Sequence, residues 1–289
     1  MIASARSHAA AGGVAATTGV YGRTGRGAVM VVGGHEDHSG PRRILRAFVA
    51  LAGGARARVA VVATASGDPK AAAEGYAAAF RTLGAGARGL CVADRAQAAE
   101  PQVAAILQEA TGIFFTGGDQ LRITAVLGGT AGERAIRRAH LRGAVVAGTS
   151  AGASAMSSTM IVGGRSDASP RREIVRMSPG LGLLPELVID QHFAQRGRLS
   201  RLLAAVGQNP GLLGIGVDED TAFVVDDADI LTVVGSATVT VLDGRGVRLT
   251  SASETDLEQP LTLSGVMLHV LADGYAYDLR TRRALAPAE

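Results

Sequence analysis

Apolar residues come in short runs, and the stretches between them carry a helical period. Ala28-Val29-Met30-Val31-Val32 opens the pattern, with Gly33-Gly34 directly behind it. From Pro41 to Leu51 the apolar positions are Ile44, Leu45, Phe48, Val49 and Leu51, the spacing of one helix face. Arg58 to Ala63 predicts a second strand, and Ala71 to Leu83 an Ala-rich helix closed by Gly84. Gly89 to Ala93 reads as the third strand and Pro101 to Ala110 as the third helix. Gly112 to Thr116 is the fourth strand, ending in Gly117-Gly118-Asp119-Gln120; helices over about Leu121–Leu127 and Gly132–Arg142 follow. Ala144-Val145-Val146-Ala147 is the fifth strand. Strands apolar on both faces, alternating with helices, predict an α/β fold: a doubly wound, mostly parallel sheet covered by helices.

The second half reads differently. Met160 to Met177 is polar and rich in Gly, Arg and Ser, and is expected to be a loop forming a lid over the site. Pro179 to Pro185 is a turn-rich link, and Leu187 to Asp190 a strand running into Gln191-His192-Phe193. A helix from Arg198 to about Val206 precedes a strand-like run, Leu213 to Val217, which ends in Asp218-Glu219-Asp220. From Thr221 the pattern is all β, with Asp226-Asp227 and Asp243-Gly244 as turns. No internal repeat or linker divides the chain. The expectation is one α/β domain over 28–289 with a β-rich section from about 221 to 289, preceded by a disordered extension over 1–27.

Composition narrows the function. The 289 residues are 47% hydrophobic and 19% charged, enough for a large core. A formal net charge of +3, a single lysine (Lys70) and 3% aromatics argue against a nucleic-acid surface. No apolar stretch is long enough for a membrane span, and residues 1–20 lack a signal-peptide core, so the expected location is the cytoplasm. Cys91, the one cysteine, excludes an internal disulfide and a Cys-rich zinc site. Its apolar neighbours predict a small core residue.

Gly148-Thr149-Ser150-Ala151-Gly152 directly after the fifth strand has the Gly-x-Ser-x-Gly form of a nucleophile elbow. The following helix is expected to aim its N-terminal N–H groups at a developing oxyanion. A serine hydroxyl needs a base, and the base an orienting acid. His192, at a strand end, is the best base among six histidines; Glu219 or Asp218, again at a strand end, is the acid. Gly33-Gly34, Gly117-Gly118 and Ser150 all fall at strand carboxyl ends, where parallel sheets bind ligands. The order Ser150, His192, Glu219 disfavours the α/β-hydrolases, which place the acid before the histidine. A phosphate loop is missing, which disfavours a flavodoxin-like cofactor binder.

FTGGDQ (115–120), AGTSAGA (147–153), PGLGLLP (179–185), DQHFAQRGRLSRLL (190–203) and GIGVDEDTA (214–222) together resemble the cyanophycinase family over roughly residues 28–240. These are serine-type exopeptidases related to aspartyl dipeptidases, with a glutamine-amidotransferase-like fold. The resemblance implies Ser150 as nucleophile, His192 as base, Glu219 as acid, and the N–H groups of Gly118 and Ala151 as oxyanion donors. It implies substrate contacts at Gln120, Asp190, Gln191, Arg196, Arg198 and Arg201. Gly197 stands where relatives often continue a basic run. The implied reaction needs no cofactor and no metal. It cleaves cyanophycin polymer, or β-Asp-Arg oligomers, to β-Asp-Arg dipeptides, and the implied assembly is a homodimer. The arginines suit the free carboxylates of such a substrate; by pattern alone they form a solvated helix face. Asp167, Asp190 and Asp220 are candidate partners for the substrate's arginine groups. The competing expectations are an aspartyl dipeptidase and a non-catalytic binding protein on the same fold.

Overall fold

The structure, a computed structural model, describes residues 25–166 and 169–287. Most of the expected extension, and Asp167, therefore lie outside the described residues. Gly25 to Gly27 already belong to the body: Gly27 N–H donates to His140 O at 2.8 Å and Arg26 pairs with Asp229.

In chain order the first half runs β1 (Val29–Val32), α1 (Arg43–Leu51), β2 (Arg58–Val62), α2 (Pro69–Thr82), β3 (Gly86–Leu90), α3 (Arg95–Ala98) and α4 (Pro101–Glu109). It continues with β4 (Gly112–Phe115), α5 (Gln120–Leu127), α6 (Ala131–Leu141), β5 (Val145–Thr149) and α7 (Ala151–Ser154). Several starts carry caps: the carboxylate of Asp68 accepts from Ala71 N–H, Asp94 from Gln97 and Asp119 from Leu121. The second half holds β6 (Thr159–Gly163), β7 (Arg176–Pro179), β8 (Leu187–Gln191), α8 (Leu199–Gln208), β9 (Leu213–Val217), β10 (Thr221–Val225), β11 (Ile230–Gly235) and β12 (Val239–Asp243). Two short strands, β13 (Leu249–Thr250) and β14 (Leu263–Ser264), precede β15 (Met267–Leu271), β16 (Ala276–Asp278) and β17 (Arg283–Leu285).

The main sheet has nine strands in the order β17-β16-β11-β10-β1-β5-β4-β2-β3. From β1 to β3 neighbours run parallel, and from β1 out to β17 they run antiparallel. The α/β frame is the expected one, and part of the β-rich section extends its sheet. Alternate residues of β1 serve two cores. Val29 and Val31 join the side covered by α4, α5 and α6; Met30 and Val32 join the side covered by α1 and α2. On that second side Phe48, Phe80 and Phe114 meet tilted or edge to face at centroid distances of 5.1–5.3 Å.

Four expectations need correction. Leu187–Gln191 and Leu213–Val217 do not join the main sheet; they form a second sheet, β15-β12-β9-β8, with β8 and β9 parallel. The expected third strand lies earlier, at Gly86–Leu90, so Cys91 falls beyond it and is exposed, its thiol 3.4 Å from Pro69 O. An edge strand buries little on its outer side, which is why the apolar run misled. The expected lid over 160–177 contains the hairpin β6–β7, anchored to the body where Gln120 Nε2 donates to Ile161 O at 2.7 Å. Finally, α7 is one turn long, too short to supply a large helix dipole.

Candidate active site

Gly148 and Gly152 explain why the β5–α7 corner closes so tightly. A Cβ on Gly148 would lie 2.3 Å from the Gly152 carbonyl, and one on Gly152 2.6 Å from Phe115 O. The turn leaves Ser150 at φ 52° and ψ −111°, a sparsely populated conformation that costs about 1–3 kcal/mol. His35, His192 and Asp220 also have positive φ, so four of the seven non-glycine residues with that strain among the described residues sit around one point.

Ser150 Oγ lies 2.9 Å from His192 Nε2, and His192 Nδ1 lies 2.7 Å from Glu219 Oε1. Ser150 comes from the main sheet, while His192 and Glu219 follow β8 and β9 of the second. Parallel pairing of β8 with β9 puts both of their carboxyl ends on one edge, which brings the imidazole and the carboxylate together. Of the two acids considered, Glu219 reaches the imidazole. Asp218 is buried and spent elsewhere, accepting from Ala194 N–H at 3.0 Å and Thr238 Oγ1 at 2.8 Å.

Burial lowers the pKa of His192 below its ordinary 6.5, and the hydrogen bond that its ring donates to Glu219 partly offsets this. Burial pushes Glu219 up, but hydrogen bonds and charge from His192 and His35 prevail, leaving its carboxyl below the usual range. At neutral pH the pair is a neutral imidazole on a carboxylate, the state a general base needs.

The Gly117-Gly118 turn after β4 flanks the serine. A Cβ on Gly117 would sit 3.3 Å from Ser150 Cβ; one on Gly118, at φ +137°, would sit 1.9 Å from Ala65 O. The N–H groups of Gly118 and Ala151 have no hydrogen-bond partner among the described residues.

The implied substrate positions divide. Asp190 is fully buried and its carboxylate holds both Arg198, at 3.3 Å, and Arg201, whose Nε is 2.6 Å away. Gln191 is buried too, its Oε1 accepting from Arg198 at 2.8 Å. Arg198 and Arg201 are thus neither a solvated face nor two open cations, and Asp190 is no free acceptor for a substrate guanidinium. Arg196 alone of the three is exposed and without an ion-pair partner among the described residues. Gln120 spends its amide N–H on the hairpin, as above.

The sequence placed Gly33-Gly34 at the ligand-binding edge but gave no role to His35, Glu36 or Asp37 behind it. Gly33 O accepts from His192 N–H, and Gly34 O from Asp220 N–H, both at 2.9 Å. His35 Nδ1 lies 3.0 Å from Glu219 Oε2. Glu36 is buried and accepts from the hydroxyl of Thr149, the residue before Ser150, and from the Tyr76 hydroxyl, each at 2.7 Å. Asp37 N–H donates to Asp220 Oδ1 at 3.0 Å.

A relay from hydroxyl to imidazole to carboxylate, at hydrogen-bond distances, is an arrangement that can make a serine nucleophilic. The class is a serine-type hydrolase on an α/β frame. Similarity then fixes the family. The sequence profile of Peptidase family S51 matches residues 29–233, and the chain belongs to that family. A cyanophycinase from Geminocystis herdmanii is 40% identical over 263 residues, covering 90% of this chain and 97% of its own. A cyanophycinase from Synechococcus elongatus is 40% identical over 260 residues, 89% of this chain and 81% of its own. The crystal structure of a peptidase from an acI-B1 Actinobacterium superposes with a TM-score of 0.66 at 22% identity, covering 89% and 98% of the two chains, which establishes the fold. No helix among the described residues is long and apolar enough to cross a membrane.

Proposed function

We propose that this peptidase hydrolyses cyanophycin, releasing β-Asp-Arg dipeptides through an acyl-enzyme on Ser150. The observation that carries the chemistry is the unbroken Ser150–His192–Glu219 hydrogen-bond chain; the 40% identity to cyanophycinases over nine-tenths of the chain carries the substrate.

His192 Nε2 takes the Ser150 proton as Oγ bonds to the carbonyl carbon of an α-peptide bond. Glu219 holds Nδ1–H and stabilises the imidazolium. The oxyanion sits against the N–H groups of Gly118 and Ala151, each worth on the order of 3 kcal/mol in the transition state. His192 then gives its proton to the leaving amine as the C–N bond breaks. Water, deprotonated by the same imidazole, hydrolyses the ester and restores Ser150. Arg196 is the open cation that pairs with a free substrate carboxylate. Asp190, Gln191, Arg198 and Arg201 shape the wall behind it and hold the His192 strand end. Gln120 positions the β6–β7 hairpin beside the site. No cofactor is required by these steps.

The reading includes a homodimer in the cytoplasm. The exposed apolar edge strand β15, with Met267, Leu268 and Val270 about half exposed, supports a covered face.

The test is dipeptide release from insoluble cyanophycin by the wild type and by Ser150→Ala, followed by mass spectrometry. β-Asp-Arg from the wild type alone is the expected result. Cleavage of Asp-X dipeptides without release from the polymer would sink the substrate assignment and leave the nucleophile.

A further inference from the structure

Glu219 has two histidine partners, and the peptidase chemistry uses one. His192 Nδ1 approaches Oε1 at 2.7 Å; His35 Nδ1 approaches Oε2 at 3.0 Å. The two rings meet edge to face, with centroids 5.1 Å apart. His35 stands on the solvent side, its side chain 72% exposed. One ligand atom from each of His35, His192 and Glu219 lies within 4.8 Å of the others.

Two imidazole nitrogens and one carboxylate oxygen, open to water on the fourth side, form a donor set for a borderline divalent cation. Ligand atoms at about 2.0–2.1 Å from a tetrahedral ion lie about 3.4 Å apart. The His35–Glu219 pair is already inside that separation. His192 approaches the other carboxylate oxygen, and drawing all three ligand atoms from within 4.8 Å to about 3.4 Å of one another needs a shift of at most about 1.4 Å, which the exposed His35 ring can make.

We propose that His35, Glu219 and His192 form an inhibitory site for Zn²⁺ or a similar ion. The ion is not a cofactor for the hydrolysis; it blocks it. When Nδ1 of His192 ligates the metal, its proton leaves that nitrogen, and the neutral imidazole carries its hydrogen on Nε2. That nitrogen then donates toward Ser150 instead of accepting its proton, so the base is lost without any change in the serine. The positive charge of Arg196 acts on His192 and opposes a dication, so binding is expected to be reversible by a chelator.

Two readouts test this on the full chain after chelator treatment. Co²⁺ alone, added to the wild type, is expected to give the visible absorption of four-coordinate cobalt, and Zn²⁺ to displace it. His35→Asn is the informative variant, because Asn tolerates the left-handed backbone found at His35 (φ 50°) and offers no imidazole. It is expected to weaken Zn²⁺ binding at least tenfold. The zinc concentration that halves activity, each variant against its own metal-free rate, is expected to rise by the same factor. His8 and His38 remain in that variant, so an ion held by them alone would give equal binding and equal inhibition in both proteins, which overturns the proposal. The inhibition arm rests on the peptidase reading. The cobalt spectrum does not, so a failure to cleave cyanophycin leaves the metal site separately decided.

Discussion

Gly34 is the position where one added carbon tests the geometry most directly. A Cβ there would lie 2.3 Å from His192 Cε1 and 2.6 Å from Nε2, where ordinary contact begins at 3.4 Å. The ring must therefore retreat by about 1 Å. It is held at 2.9 Å by Ser150 and at 2.7 Å by Glu219, and no travel of that size keeps both bonds. A misplacement of 1 Å costs on the order of 100-fold in rate, or about 2.7 kcal/mol in the barrier. The ceiling, complete loss of the base, is on the order of 10⁴–10⁶-fold. Gly34→Ala is thus expected to lower kcat by about 100-fold or more, with KM little changed, because the ring moves while the substrate wall stays.

Alanine at φ +103° also strains the backbone, by about 1–3 kcal/mol. Gly84→Ala separates the two effects: it sits at φ +87° with nothing within 4 Å of the new Cβ. Both variants should melt at lower temperature, and only Gly34→Ala should lose turnover per folded molecule. The assay is dipeptide release at saturating substrate, normalised to the folded fraction from thermal unfolding. If folded Gly34→Ala keeps more than about a third of the wild-type kcat, far above the 1 Å penalty, the ring is not pinned between Ser150 and Glu219 and the mechanism built on it fails.

Two further outcomes follow from the same site. Because burial lowers His192 below 6.5, the fraction of neutral base falls only on the acid side of that value. A pH profile of kcat/KM in chelating buffer should therefore have its acid limb below pH 6.5 and be full at neutral pH; a limb at or above pH 7 contradicts the assignment. Asp190→Asn would leave Arg198 and Arg201 buried without their counter-charge, and is expected to cost about 3–5 kcal/mol in urea unfolding, with a loss under about 1 kcal/mol refuting the buried network.

The frame and the serine corner are legible in the sequence because each is set locally. A strand buried on both faces must be apolar throughout, and the β1–β5 neighbourhood supplies those runs. The elbow needs glycines wherever a Cβ would meet the neighbouring chain, and Gly148 and Gly152 stand at those contacts. The parts that were not legible depend on which surfaces meet. Leu187–Gln191 and Leu213–Val217 are as apolar as the strands of the main sheet, so nothing in their pattern assigns them to a second one. Arg196, Arg198 and Arg201 look alike as a basic run. Arg198 and Arg201, one helical turn apart, share the face turned to Asp190, whereas Arg196 precedes the helix and stays in solvent. The loop from Gly33 to Asp37 carries the deeper reason. Its backbone holds the His192 and Asp220 loops, Glu36 holds the residue before Ser150, and His35 holds Glu219. Groups from two separate sheets stay within hydrogen-bond reach because one short segment at the end of β1 touches all of them. Five neighbouring residues that reach His192, Asp220, Thr149, Tyr76 and Glu219 have no periodicity to betray them, so the roles of His35, Glu36 and Asp37 became visible only through the folded contacts.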